Sequence, residues 1–107
     1  MLYDPKWESE TKPVSAVKNL LIQARSLIEK EENWCQGTQF KAKPDGGLRY
    51  CALGAIWERS DNDLALATEA QRAVEFAMNG VPITFYNDFS THVWVVAAFD
   101  KAIAAVD

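Results

Sequence analysis

The stretch Tyr50-Cys51-Ala52-Leu53-Gly54-Ala55-Ile56-Trp57-Glu58-Arg59 decides how this chain folds, because Cys51 to Trp57 carry no polar side chain. Arg49-Tyr50 reads as extended, whereas Ala52, Leu53, Ala55 and the following Glu58-Arg59 favour helix. A helix of about three turns is predicted, its first half buried on all sides. Gly54 costs roughly 1 kcal/mol relative to Ala inside a helix, and its small neighbours Ala52 and Ala55 point to the compensation: a neighbouring helix in close approach.

Upstream lies Trp34-Cys-Gln-Gly-Thr-Gln-Phe-Lys-Ala-Lys-Pro-Asp-Gly-Gly-Leu-Arg-Tyr50. Pro44-Asp45-Gly46-Gly47 is a strong turn signal between two short extended segments, since Pro presets φ and Gly accepts positive φ. A small β-hairpin is predicted. A lone hairpin is marginal in water, so Trp34, Phe40, Leu48 and Tyr50 are expected to anchor it on helices. Further upstream, Val14, Val17, Leu20, Leu21, Ala24, Leu27 and Ile28 recur at offsets of three and four, the mark of an amphipathic helix. Thr11 or Lys12 is its expected cap, with Pro13 in the first turn. Residues 1–12 have no periodic pattern and read as an extended arm carrying Trp7.

Downstream, Ser60-Asp61-Asn62-Asp63 is a capping cluster before Leu64, Ala67, Ala70, Val74, Ala77 and Met78, a third helix that Asn79-Gly80 ends. Val81 to Tyr86 reads as an extended apolar connector. Asn87-Asp88-Phe89-Ser90-Thr91 is a second capping cluster, before a last helix running to about Ala105. Its main stripe is Val96, Phe99, Ile103 and Val106, and its other faces are apolar too, which predicts a central position. The fold class is therefore mainly α (α+β): about four helices in a compact bundle, with one small hairpin between the first and second. Residues 13–107 form a single domain.

The chain has 107 residues, 49% of them hydrophobic, which suits one globular domain with its own core. Eleven Lys and Arg against fifteen Asp and Glu leave a net charge of −4, which argues against nucleic-acid binding, where phosphate neutralisation supplies most of the affinity. The only locally basic stretch, Lys41, Lys43 and Arg49, reads as a solvated face. No apolar run approaches the ~20 residues of a membrane span. The opening residues lack a basic region followed by an apolar stretch, so no secretory signal is expected. A reducing cytoplasm and two free thiols, Cys35 and Cys51, follow. No metal site or cofactor is expected, because Cys35, Cys51, His92 and Asp88 lack the spacing of a tetrahedral set.

Chemistry could sit at Cys51, which opens a helix directly after an extended segment. Partial positive charge and free N–H groups there lower a thiol's pKa and can form an oxyanion hole. His92, near the start of the last helix, with Asp88 or Asn87, would complete a set in the chain order of papain-like enzymes. The structural reading of Cys51 is core, and that of Asn87-Asp88 a turn lock. Trp57 and Trp94 are expected in the core, while Trp7 and Trp34 could line a groove or touch a partner.

Trp34-x-x-Gly37, the Gly-containing turn, Tyr50-Cys51-Ala52-Leu53-Gly54-Ala55-Ile56, Asn87-Asp88 and the closing helix with Val95 and Ala102 resemble a family of small uncharacterised bacterial and phage proteins. In it a Trp-x-x-Gly segment precedes a Cys-Ala-Leu-Gly-Ala-type helix, and an Asn-Asp pair precedes the terminal helix. The resemblance spans about residues 20 to 105 and leaves out Trp7. It implies a prokaryotic or phage setting, brings no activity with it, and singles out Trp34, Gly37, Cys51, Gly54, Asn87 and Asp88.

The expected function is a small acidic, non-enzymatic protein-binding module, an inhibitor of a host or defence protein being one form, with Trp34, Gly37, Asn87, Asp88 and Trp7 as binding residues. The alternative is a cysteine-dependent hydrolase or transferase using Cys51, His92 and Asp88. The partner is expected to be another protein or a second copy, joined through the apolar last helix.

Overall fold

The computed structural model describes residues 13–106. The expected arm, residues 1–12 with Trp7, lies outside the described residues.

Helix α1, Val14–Leu27, buries Val17, Leu20, Leu21 and Ala24, and Ile28 continues the stripe just beyond its end. Pro13 is the cap position itself rather than a first-turn residue. It is extended (φ −61°, ψ 148°), and its carbonyl accepts from the N–H groups of Ala16 and Val17. Pro fits there because no N–H is needed from it.

A 3₁₀ turn, Glu31–Asn33, leads to strands β1, Phe40–Ala42, and β2, Leu48–Tyr50. They pair antiparallel, with Phe40 opposite Tyr50, Lys41 opposite Arg49 and Ala42 opposite Leu48. The turn closes as its Gly signal predicts: Lys43 N–H donates to the Gly47 carbonyl at 2.7 Å, and Gly46 takes φ +97°. Phe40 and Leu48 do not anchor the hairpin, because both side chains are exposed. Anchoring falls to Tyr50, which is buried, to Trp34, which packs on the core, and to backbone pairing of Cys35 N–H with the Tyr50 carbonyl at 3.1 Å.

Helix α2, Ala52–Arg59, is eight residues long, shorter than predicted, and buries Ala52, Gly54, Ala55 and Ile56. The expected close approach at Gly54 is real but comes from the hairpin's entry, not from a helix. A Cβ built on Gly54 would lie 2.0 Å from the backbone carbonyl oxygen of Gln39. That carbonyl also accepts from Cys51 N–H at 3.0 Å, so one peptide unit of the preceding loop lies flat against the first turn of α2.

Asp63 caps α3, Leu64–Ala77, its carboxylate accepting from Leu66 N–H at 3.0 Å. Ala67, Ala70 and Val74 face the core. The helix ends with Asn79 and Gly80 both left-handed (φ 59° and 86°), Gly80 N–H donating to the Glu75 carbonyl at 2.7 Å. This is the double-bonded helix stop that an Asn-Gly pair favours.

The expected extended connector does not exist beyond Pro82. Ile83–Asp88 forms a fifth helix, α4, and Asn87-Asp88 belong to it instead of capping the next. Thr91 caps α5, His92–Ala105, and the buried stripe of α5 is Val95, Ala98, Phe99 and Ala102. Val93 and Trp94 are exposed, so Trp94 is not a core residue and α5 is not enclosed. The central element is α1, which packs on α2, α3 and α5, while α3 also packs on α5. Leu21, Ile28, Ile56 and Phe99 are fully buried where these helices meet, each contributing about 1.5–3 kcal/mol of transfer free energy. The chain is thus mainly helical, with a two-stranded hairpin between its first and second helices. Among the described residues, no helix is long and apolar enough to cross a membrane.

Candidate functional site

The side chain at the centre of the molecule's polar chemistry is Asn87, which is fully buried. Its Oδ1 accepts from Trp34 Nε1–H at 2.7 Å and from Ala52 N–H at 2.9 Å. Its Nδ2 donates to the Cys35 carbonyl at 3.0 Å and to Asp88 Oδ1 at 3.1 Å. An amide side chain has two acceptor and two donor positions, so Asn87 is saturated. It ties α4 to the Trp34-Cys35 segment and to the first N–H of α2, leaving none of its own capacity for a ligand.

Asp88 and Gln36 extend the clamp. Asp88 Oδ1 accepts from Gly37 N–H at 2.9 Å, with Gly37 left-handed at φ +82°. Gln36 Nε2 lies 2.9–3.1 Å from the carbonyls of Asn87, Asp88 and Ser90, donors placed on the open end of α4. The last carbonyls of a helix have no internal partner, so this side chain completes a helix too short to stand alone. The loop Trp34-Cys35-Gln36-Gly37 and the pair Asn87-Asp88 are therefore two halves of one joint.

His92 sits at its edge. Its ring lies 5.5 Å from that of Trp34, and its Nε2 is 2.7 Å from the Ile28 carbonyl. A carbonyl only accepts, so Nε2 carries the proton and serves the last carbonyls of α1. Cys51 lies on the other side and caps α2: its Sγ accepts from Gly54 N–H at 3.3 Å. Burial pushes its thiol pKa up, against the lowering effect of the Gly54 and Leu53 N–H groups. The Cys35 thiol is also pushed up, first by burial and then by the nearby Cys51. Among the described residues no hydrogen bond joins Cys51 to His92. Cys51 and Asp88 do line one small cleft, of about 210 Å³, with Gly37, Thr38, Gln39 and Thr84. This environment holds the thiol protonated, as a cap, where a nucleophile needs the thiolate.

Trp34, Gly37, Cys51, Asn87, Asp88 and His92 thus converge in one region from four segments of chain, and Trp7 falls outside the described residues. Gln36 was not foreseen: it is one of the unspecified positions in Trp-x-x-Gly, and no local pattern reports a side chain that bonds 51 to 54 positions away. Among the described residues no group of three His, Cys, Asp or Glu could hold a metal ion.

A family model described as a family of unknown function, DUF6197, matches residues 12–105. The chain belongs to that family. The matched span of DUF6197 takes in both halves of the joint and every helix described here. Neither the curated proteins nor the solved structures gave a match.

Proposed function

We propose that this chain is a protein-binding module whose contact surface is the outer side of α4 and the first turn of α5. The observation that carries this reading is the exposure of large apolar side chains there: Phe85, Phe89, Val93 and Trp94, with Phe89 76% exposed. Single exposed apolar residues are ordinary, but several together in ten residues of chain mark an interaction surface. The Phe85 and Phe89 rings lie against each other, tilted, with centroids 4.7 Å apart, and Tyr86 O–H donates to the Trp94 carbonyl at 3.3 Å. Beside them, Met78, Tyr86, Trp94, Ala97 and Lys101 line a groove of about 250 Å³. Aromatic anchors beside a groove are the anatomy of an interface hot spot.

The clamp built around buried Asn87 gives Trp34, Gly37, Asn87 and Asp88 their part in this function. They fix α4 before any partner arrives, which lowers the ordering cost of association. The partner is a protein in a bacterial or phage setting, and inhibition of a host or defence component is the form this binding would take. Two free buried thiols, Cys35 and Cys51, suit the reducing cytoplasm in which that partner would be met.

The test is a pull-down from bacterial lysate with the wild-type chain and with Phe85→Ser/Phe89→Ser, beside sedimentation to detect self-association. A defined partner held by wild type and by Cys51→Ala, but lost with the double variant, supports the reading. Capture indifferent to the double variant, or none at any salt concentration, overturns it.

A further inference from the structure

A second feature lies where the hairpin meets the 3₁₀ turn. Lys41 and Arg49 stand directly opposite each other in the two-stranded ladder, an arrangement that repulsion between like charges disfavours. Both line a cleft of about 570 Å³ whose remaining lining is Glu31, Glu32, Trp34, Cys35 and Gln36. That volume is within the range of small-molecule sites. The hairpin is tied to the turn here: Arg49 Nε–H donates to the Glu32 carbonyl at 3.1 Å, and, beside the cleft, Lys43 Nζ donates to Asn33 Oδ1 at 2.8 Å.

The charges of this cleft do not neutralise one another. Among the described residues no ion pair joins Lys41 or Arg49 to Glu31 or Glu32, whereas Arg25 pairs with Glu29 and with Asp100. Two cations on the hairpin and two carboxylates on the turn therefore share one cavity without contact. A bare anion would be drawn to the first pair and repelled by the second, and a bare cation the reverse. A ligand with both charges satisfies both pairs, each through charge-assisted hydrogen bonds stronger than neutral ones.

We infer that this cleft binds a small zwitterion, its anionic group on Lys41 and Arg49, its ammonium group on Glu31 and Glu32, and its body beside Trp34. Arg49 can grip a carboxylate or a phosphate through paired N–H groups, and Lys41 acts as a point charge beside it. The ionic groups of this cleft take no part in the proposed protein-binding surface, Trp34 being shared only as a residue of the clamp, so the inference stands or falls apart from it.

The test is a titration of the full ¹⁵N-labelled chain at constant ionic strength, read at the Arg49 Nε–H and Trp34 indole N–H signals. The probes are glycylglycine (a carboxylate zwitterion), phosphoethanolamine (a phosphate zwitterion), inorganic phosphate and ethylammonium. The expected result is saturable shifts with one of the two zwitterions, at a Kd about tenfold or more below that of either single-charge probe, the better zwitterion naming the anionic group. Lys41→Gln and Glu31→Gln, whose side chains bond no other side chain or backbone group among the described residues, should each weaken binding about tenfold. Phe85→Ser/Phe89→Ser should leave it unchanged. Failure of both zwitterions to saturate, or equal affinity for phosphate or ethylammonium, overturns the inference.

Discussion

Trp34 Nε1–H donates to Asn87 Oδ1 at 2.7 Å across 53 positions of chain, and the acceptor is a fully buried side chain with every bonding position used. Removing it strands donors and an acceptor in the interior. Asn87→Ala should therefore lose about 3 kcal/mol or more of unfolding free energy, since each unsatisfied buried group costs about 1–3 kcal/mol. Denaturant unfolding of the two proteins checks this, and a loss below about 1 kcal/mol would mean that water replaces the amide. Asn87→Asp adds a second effect. A carboxyl buried beside Asp88 has its pKa raised above the unfolded value, so this variant should be most stable at acid pH and weaken as pH rises through that raised pKa.

Gly54→Ala tests the contact between α2 and the loop before β1. By helix propensity the change would stabilise by about 1 kcal/mol. The new Cβ would lie 2.0 Å from the Gln39 carbonyl oxygen, a backbone atom that can give way only by moving the loop. A lower Tm is expected, with faster amide exchange at Cys51, whose N–H bonds that same carbonyl. A Tm equal to or above wild type would show the loop to be loosely held.

The two thiols make opposite predictions from an activated cysteine. Burial raises the pKa of Cys51, Cys35 and the Tyr50 phenol in the folded state. Iodoacetamide at pH 8 should label Cys51 in a Cys35→Ser background about tenfold or more slowly than in the denatured chain. Because the folded pKa values lie above the unfolded ones, the stability held by the protonated forms is whole below pH ~8.5 and drains away as pH climbs toward the folded values. Fast labelling at neutral pH would revive the cysteine-enzyme reading.

Phe89 and Phe99 should separate surface from core. Phe99 is fully buried and Phe89 is 76% exposed. Phe99→Ala should cost about 3–5 kcal/mol, and Phe89→Ser should change stability by less than about 0.5 kcal/mol. A large loss at Phe89 would mean that it supports α4 rather than facing a partner.

What the sequence made legible was what depends on near neighbours. The offsets of Val17, Leu20, Leu21 and Ala24 located α1, Pro44-Asp45-Gly46-Gly47 located the turn, and Asn79-Gly80 located the end of α3. Helix α4 escaped notice because Ile83-Thr84-Phe85-Tyr86 after a proline has the residue types of a strand. Its helical state is imposed from outside, by Gln36 on its last carbonyls and by the Glu75 carboxylate accepting from Ile83 N–H at 2.9 Å. Trp94 was misplaced for a related reason: α5 is apolar on several faces, so periodicity could not say which one the core would take. Trp34, Gly37, Asn87 and Asp88 were each marked in the sequence, but the joint that unites them was not legible, because no spacing along the chain encodes a bond between Gly37 and Asp88.

The joint also orders events in time. Six residues lie far below the dozen or so that an isolated helix needs in water, so α4 cannot form early and wait. It must assemble as Gln36 and Asn87 meet, after a loop of some fifty residues has closed, and it must dissolve when they part. The aromatic surface thus exists only while that joint is closed, and proteolysis or chaperone capture at Phe85 and Phe89 would report the state of a loop half the chain away.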